Sequence, residues 1–268
     1  MVILIALLGW FGGIFTNYLS DVLPTRRRLS RPFCLNCEAD QPILNYFFWP
    51  RRCPNCQHRR SLRSWVVEIV LILLTVWLWE NPSNWLPLHL SETLAISGSL
   101  RFLLSYLIII YFSIVLIIDL EHHLILYITS VFGAVLCALV GYFLHGLLNT
   151  ILGGLCGLVF MLVLYLFGIL FAKFVVRRKE SNFSEDALGF GDVILGGVLG
   201  LLLGYPGIFA GLILSILIAG FFALVFLVIS IFLRRYRLFS FLPYGPFMII
   251  SAALLIFFNQ QLVALLSG

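Results

Sequence analysis

The segment FLLSYLIIIYFSIVLII, residues 102–118, contains no charged residue and is followed directly by Asp119. With residues 94–101, which include Arg101, this run is long enough for a helix that crosses a bilayer, which takes about 20 residues. The whole chain has the same character, with 62% hydrophobic residues, 11% charged residues and a mean hydropathy of +1.07. Soluble domains carry about 25% charged residues. The sequence therefore predicts an integral membrane protein whose main surroundings are lipid.

Eight apolar segments are candidates for transmembrane helices, and the second and sixth of them are short. They are residues 1–20, 65–80, 94–118, 124–145, 150–175, 192–204, 207–233 and 246–265. The first segment differs from a signal peptide because no basic residue precedes it and an arginine cluster follows it. We therefore expect an all-α polytopic membrane protein with about eight transmembrane helices, the first of which is retained.

The basic residues indicate how the chain is oriented. The 17 Lys and Arg residues lie almost wholly in segments 26–63, 173–179 and 234–237. Short loops rich in these residues stay in the cytoplasm. The sequence thus predicts an N-terminus outside the cytoplasm and three cytoplasmic basic segments. This topology accounts for the net charge of +5 without nucleic acid as a partner.

Four cysteines lie in the one soluble segment of any size, residues 24–64, between the first two predicted helices. Cys34, Cys37, Cys53 and Cys56 form the pattern C-x2-C-x15-C-x2-C, which is typical of a structural four-thiolate zinc site. About 40 residues cannot fold on a hydrophobic core alone, so a metal would stabilise this insertion. Two disulfides are the alternative, and the reducing cytoplasm disfavours them. We expect a small cytoplasmic insertion that resembles a zinc ribbon.

Two aspartates lie at the edges of predicted helices. Asp119 ends the third span, and Asp192 begins the sixth after Gly189 and Gly191. The predicted topology puts both carboxylates at the cytoplasmic face, where two acids can share one proton. The ionised partner can then activate a water while the protonated one polarises a carbonyl, which is aspartic proteolysis. Simpler interpretations are an N-cap role for Asp192, packing glycines, and a solvated interfacial acid at position 119.

These motifs occur together with several others in one order along the chain. The set comprises Gly13, Asn17, Leu23 and Pro24; the two CxxC motifs; Trp65-Val66-Val67-Glu68; Ile118-Asp119-Leu120-Glu121-His122; Gly189-Phe190-Gly191-Asp192; and Pro243-Tyr244-Gly245-Pro246-Phe247. Over most of its length the chain resembles the type IV prepilin peptidase family. Two departures from the family pattern are Ile194, where Lys is common, and residues 124–127, where Pro is usual.

The resemblance implies an aspartic endopeptidase of the prokaryotic inner membrane, with Asp119 and Asp192 as its catalytic residues. Its substrate would be a prepilin or pseudopilin of a type IV pilus or type II secretion system, cleaved behind a short basic leader at the cytoplasmic face. The corresponding organisation is a first transmembrane helix at 1–23, a zinc-binding insertion at 24–64 and a peptidase domain at 65–268. Members with the cysteine insertion often also methylate the new N-terminus with S-adenosylmethionine, and no motif here indicates that cofactor independently.

A basic leader calls for acidic residues near the site. Glu121, Glu185 and Asp186 lie on the predicted loops next to the two aspartates, where Gly189 and Gly191 would shape the backbone. Solvated loop residues are the alternative interpretation for these acids. A presenilin-like intramembrane protease is the alternative enzyme. A transporter with paired gating acids and a membrane-anchored zinc-ribbon adaptor are the alternatives from other classes.

Overall fold

The computed structural model describes residues 1–34, 36–47, 51–86, 98–176, 189–232, 243–258 and 261. Its described part is all-helical, as expected. The helices are α1 (Val2–Arg26), α2 (Ile43–Phe47), α3 (Leu62–Glu80), α4 (Gly98–His122), α5 (Tyr127–His145), α6 (Leu147–Val176), α7 (Phe190–Leu203), α8 (Gly207–Phe232) and α9 (Gly245–Phe257), with a 3-10 turn at Pro82–Asn84.

The helices form two compact units. The first unit contains α1 to α4, and the second contains α5 to α9. Within the first unit, α1 packs against both α3 and α4. A Cβ placed on Gly9 would lie 2.8 Å from the Cα of Ile72, and one on Gly13 would lie 2.7 Å from the Cα of Glu68. Small residues on α1 therefore allow its backbone to approach α3 closely, as is common between helices in membranes.

Helix α7 lies at the centre of the second unit and contacts α5, α6, α8 and α9. Its glycines face those of α6, because a Cβ on Gly200 would lie 2.2 Å from the carbonyl oxygen of Gly153. Likewise, a Cβ on Gly157 would lie 2.3 Å from the carbonyl oxygen of Gly196. The two glycine pairs bring the backbones of α6 and α7 into direct contact, which buries most of α7.

Six helices in the described part of the chain are long and apolar enough to cross a membrane. They are α1, α3, α4, α5, α6 (over Leu147–Leu170) and α8. The prediction of a multi-pass membrane protein thus holds, but the count of eight spans is not confirmed. Helices α7 and α9 exist where the sixth and eighth spans were predicted, yet they have 14 and 13 residues. Each is shorter than the roughly 20 residues that a crossing needs.

The insertion between α1 and α3 is shorter than the predicted residues 24–64, because α1 continues to Arg26 and α3 begins at Leu62. Among its described residues are α2 and two isolated antiparallel bridges, Phe33 with Asp40 and Arg52 with Arg59. Longer strands are not formed in this described part, so the insertion resembles a pair of short loops more than a ribbon.

Candidate functional site

The four cysteines of the insertion converge on one point. Their sulfur atoms all lie within 4.8 Å of one another. Cys34 and Cys56 are 3.6 Å apart, as are Cys37 and Cys53. A disulfide would bring two sulfurs to about 2.05 Å, and all four cysteines are free thiols. Tetrahedral zinc with bonds of about 2.3 Å places its sulfurs about 3.8 Å apart. The cluster can therefore hold a metal ion such as zinc, as the spacing predicted.

Each CxxC motif forms the same hydrogen-bonded loop. In the first, the backbone N–H of Cys34 donates to Ala39, and that of Glu38 donates to the carbonyl of Cys34, at 2.9 and 2.8 Å. Glu38 has a left-handed backbone with φ of 56°, which turns the chain back toward the bridge between Phe33 and Asp40. The second loop repeats these features at Cys53, Gln57, His58 and the bridge between Arg52 and Arg59.

The electrostatics of the cluster favour a bound cation. Backbone hydrogen bonds, first from Cys56 and then from Asn55, lower the pKa of the Cys53 thiol to about 6. At Cys37 the backbone N–H of Ala39 favours the thiolate, but desolvation and the other three sulfurs outweigh it and raise the pKa to about 12. Four thiolates so close together repel one another, and a coordinated metal ion removes that repulsion by holding each thiol deprotonated.

A buried ion pair attaches the insertion to the helices. The guanidinium of Arg51 donates to both carboxylate oxygens of Glu68 at 3.0 and 2.9 Å. The two side chains are only 6% and 3% exposed. Glu68 also accepts hydrogen bonds from Trp10 at 3.0 Å and Asn17 at 3.4 Å, and Arg51 stacks over the ring of Trp65. The sequence signal for this site is a glutamate within an apolar helix, and the motif Trp65-Val66-Val67-Glu68 contains it without indicating its partner.

A second polar cluster surrounds Asp21 near the end of α1. Asp21 accepts hydrogen bonds from Tyr46, from Arg60 at 3.3 Å and from Arg63, and Arg63 also pairs with Glu121. Burial raises the pKa of the Tyr46 phenol above its usual range, against the opposing charge of Arg60. These contacts connect α1, the insertion, α3 and the C-terminal turn of α4. The Glu121 carboxylate, expected to receive a basic leader, already has Arg63 as a partner.

The two predicted catalytic aspartates are both buried. Asp119 is 4% exposed in the last turn of α4, and Asp192 is 9% exposed in the first turn of α7. They belong to different units, so the approach of their carboxylates stays a prediction. The N-cap of α7 is Gly189, which means that the interpretation of Asp192 as an N-cap is wrong. An acid in the first turn is still favoured by the helix dipole.

The surroundings of Asp192 add details that sequence reasoning missed. A Cβ on Gly191 would lie 2.8 Å from the Cβ of Ile125, in the segment after α4. Position 191 therefore needs glycine for this close approach. The hydroxyl of Tyr244, at the N-cap of α9, lies 2.5 Å from the hydroxyl of Ser215 on α8. Burial first, and the charge of Asp192 in addition, raise the pKa of the Tyr244 phenol. The motif Pro243-Tyr244-Gly245-Pro246-Phe247 contains Tyr244 but does not indicate this contact.

Of the remaining predicted site residues, the structure describes Gly189 but not the two loop acids. A Cβ placed on Gly189 would have Gly191 N, at 4.0 Å, as its nearest neighbour among the described residues. Glu185 and Asp186 lie outside the described residues. Comparison of the chain with protein-family models, curated proteins and solved structures found no match.

Proposed function

We propose that this protein is a membrane aspartic endopeptidase that uses Asp119 and Asp192 as its catalytic pair. The observation that supports the proposal is the burial of both carboxylates at the ends of apolar helices. Charged residues are almost never fully buried unless they are paired, and an ionisable residue within a membrane helix is a functional candidate by default.

The proposed chemistry follows from two carboxylates that share one proton. The ionised carboxylate takes a proton from a water as that water attacks the scissile carbonyl carbon, while the protonated carboxyl donates a hydrogen bond to the carbonyl oxygen. Collapse of the tetrahedral intermediate breaks the C–N bond, and a proton passes from the pair to the leaving amine. Neither step requires a metal or a nucleophilic side chain.

The proposed substrate is a prepilin or pseudopilin, as the resemblance to the prepilin peptidases implies. Such a substrate is an apolar helix with a basic leader at one end. Its scissile bond would reach the membrane surface at the depth of the aspartates, with the protein in the inner membrane of a prokaryote and both aspartates facing the cytoplasm.

We propose zinc as the metal of the cysteine cluster, in a structural role. The donor set fits, because four thiolates and sulfur separations of 3.6 Å suit tetrahedral coordination. Four protein ligands leave no position for a catalytic water. S-adenosylmethionine rests on the resemblance alone: a described cavity of about 270 Å³ is lined mainly by apolar residues such as Leu144 and Leu202, together with His145. That part of the chain offers no carboxylate for the cofactor's amino group or sulfonium.

The test is mass spectrometry of a purified pseudopilin incubated with the full-length protein. The proposal expects a mass loss equal to the leader with the wild type, and none with Asp119→Asn or Asp192→Asn. Asp40→Asn is the matched control, because Asp40 is an exposed acid of the insertion that pairs with Arg26. Leader removal by either aspartate variant at the wild-type rate would rule out the proposed catalytic pair.

A further inference from the structure

A cavity of about 70 Å³ lies where the insertion meets the first turn of α3. Arg51, Arg59, Arg60 and His58 line it, and Asp21 is the one acidic residue among its described lining residues. A cavity holds a water molecule once it offers about 10–15 Å³. At about 70 Å³ this one has room for several groups of that size, and so for a phosphate group.

The charge of the cavity is positive once the ion pairs are taken into account. Asp21 is bound by both Arg60 and Arg63, and Arg63 also pairs with Glu121, so these two acids and two arginines balance one another. Arg51 is neutralised by Glu68. Arg59 is an exposed side chain of the cavity lining and adds a further positive charge. Guanidinium groups bind phosphate oxygens through paired N–H donors, which makes arginine the preferred residue for such anions.

Hydrogen-bond donors at this place remain to be satisfied. Arg60 has a buried Nε–H that makes no hydrogen bond with the described residues. Ser61 is the N-cap of α3, yet its side chain makes no capping hydrogen bond. Ser61 and Ser64 both line the cavity, which places the first turn of α3 beside it. The N-terminus of a helix attracts anions through its free N–H groups and its dipole.

The cavity also lies beside the first turn of α3, an apolar helix that is long enough to cross a bilayer. Directly after Ser61, α3 presents the exposed apolar side chains of Leu62, Val66, Ile69 and Leu73. Such a face is suited to lipid acyl chains. The phosphate layer of a bilayer begins where the hydrocarbon ends, so the first turn of α3 would meet it if α3 crosses the bilayer from that end.

We propose that this cavity binds one phosphate group, the chemistry shared by an anionic phospholipid headgroup and free inorganic phosphate. A bound phosphate would join Arg59 and Arg60 of the insertion to the N-terminus of α3. It would thereby hold the insertion against the helices. The proposal does not depend on the peptidase activity, since none of these residues belongs to the proposed catalytic pair.

The experiment is native mass spectrometry of the full-length protein in detergent, titrated with phosphatidylglycerol or with diacylglycerol, which lacks the phosphate. We expect retention of phosphatidylglycerol alone, with an affinity about twofold to fivefold lower in Arg59→Gln, because one exposed ionic contact is lost. Arg52→Gln is the matched control, because Arg52 is also exposed and bridges Arg59 through the backbone but does not line the cavity.

A further titration with inorganic phosphate identifies the source of the phosphate group. If millimolar phosphate displaces the lipid, and does so only when Arg59 is present, free phosphate is also a ligand of the cavity. If phosphate does not displace the lipid while lipid retention still depends on Arg59, the lipid headgroup is the ligand. The proposal is overturned by equal retention of diacylglycerol and phosphatidylglycerol. It is equally overturned by the same loss of affinity in Arg52→Gln and Arg59→Gln, since the effect would then be one of general charge.

Discussion

Replacing Glu68 with glutamine should release the insertion from the helices. In Glu68→Gln the shape of the side chain is kept, but the Arg51 guanidinium stays buried without a counter-charge. Arg51 is 6% exposed, so water does not compensate the lost carboxylate. Removal of one partner of a buried ion pair costs about 3–5 kcal/mol. At about 1.4 kcal/mol for each factor of ten, the ratio of attached to detached insertion falls by two to four orders of magnitude.

The assay is limited proteolysis of the full-length protein in detergent, with cleavage followed within residues 27–61. A folded domain is typically stable by about 5–15 kcal/mol. A loss of about 3–5 kcal/mol is therefore a large part of what holds the insertion in place. We expect the insertion to become exposed while the apolar helices remain folded. Cleavage should be at least tenfold faster in Glu68→Gln than in the wild type. Asp40→Asn, which removes an exposed ion pair with Arg26, should have almost no effect, because exposed pairs contribute about 0–1 kcal/mol.

The double variant Arg51→Met with Glu68→Met tests the cause. With both charges gone, no uncompensated charge is buried, and substitution of such pairs by apolar residues is often neutral. Recovery should be partial, since Trp10 and Asn17 lose Glu68 as an acceptor and the stacking of Arg51 on Trp65 is lost. Wild-type protease resistance in Glu68→Gln would refute this reasoning, as would a double variant that is less resistant than the single one.

Two further predictions concern the cysteine cluster and the contact between α6 and α7. Cys34→Ser should abolish metal binding, which elemental analysis of the purified protein measures. Cys156→Ser should leave the metal content unchanged, because Cys156 is outside the cluster. Equal metal content in the two variants would exclude the site. Gly200→Ala should lower the melting temperature of the protein in detergent, because the new Cβ would lie 2.2 Å from the carbonyl oxygen of Gly153 and such overpacking costs about 1–3 kcal/mol. Gly220→Ala should melt at the wild-type temperature, because its new Cβ would have no neighbour within 4 Å among the described residues. A similar loss in both variants would argue against a special contact at Gly200.

Features that depend on residues close together in the sequence could be predicted from the sequence. Long apolar runs indicated the helices, because a segment that faces lipid must satisfy its own backbone hydrogen bonds. The pattern of the four cysteines predicted their convergence, since each CxxC loop places two sulfurs on the same side. The chemical roles of Asp119 and Asp192 also rest on the sequence, and they stay predictions.

Other features required the tertiary structure. Apolar composition predicted transmembrane spans at α7 and α9, but these helices have only 14 and 13 residues, and α7 is surrounded by other helices. Hydropathy measures transfer out of water and does not distinguish lipid from protein as the new environment.

The partners of the buried charges are the clearest case of information that only the fold supplied. Glu68 pairs with Arg51 at a separation of 17 residues, and Arg63 pairs with Glu121 at a separation of 58. The sequence by itself determined that these charges lie beside apolar helices and therefore need partners. It could not determine which of the many arginines each acid would meet, because that choice depends on how closely α1, α3 and α4 pack, and no local pattern encodes that distance.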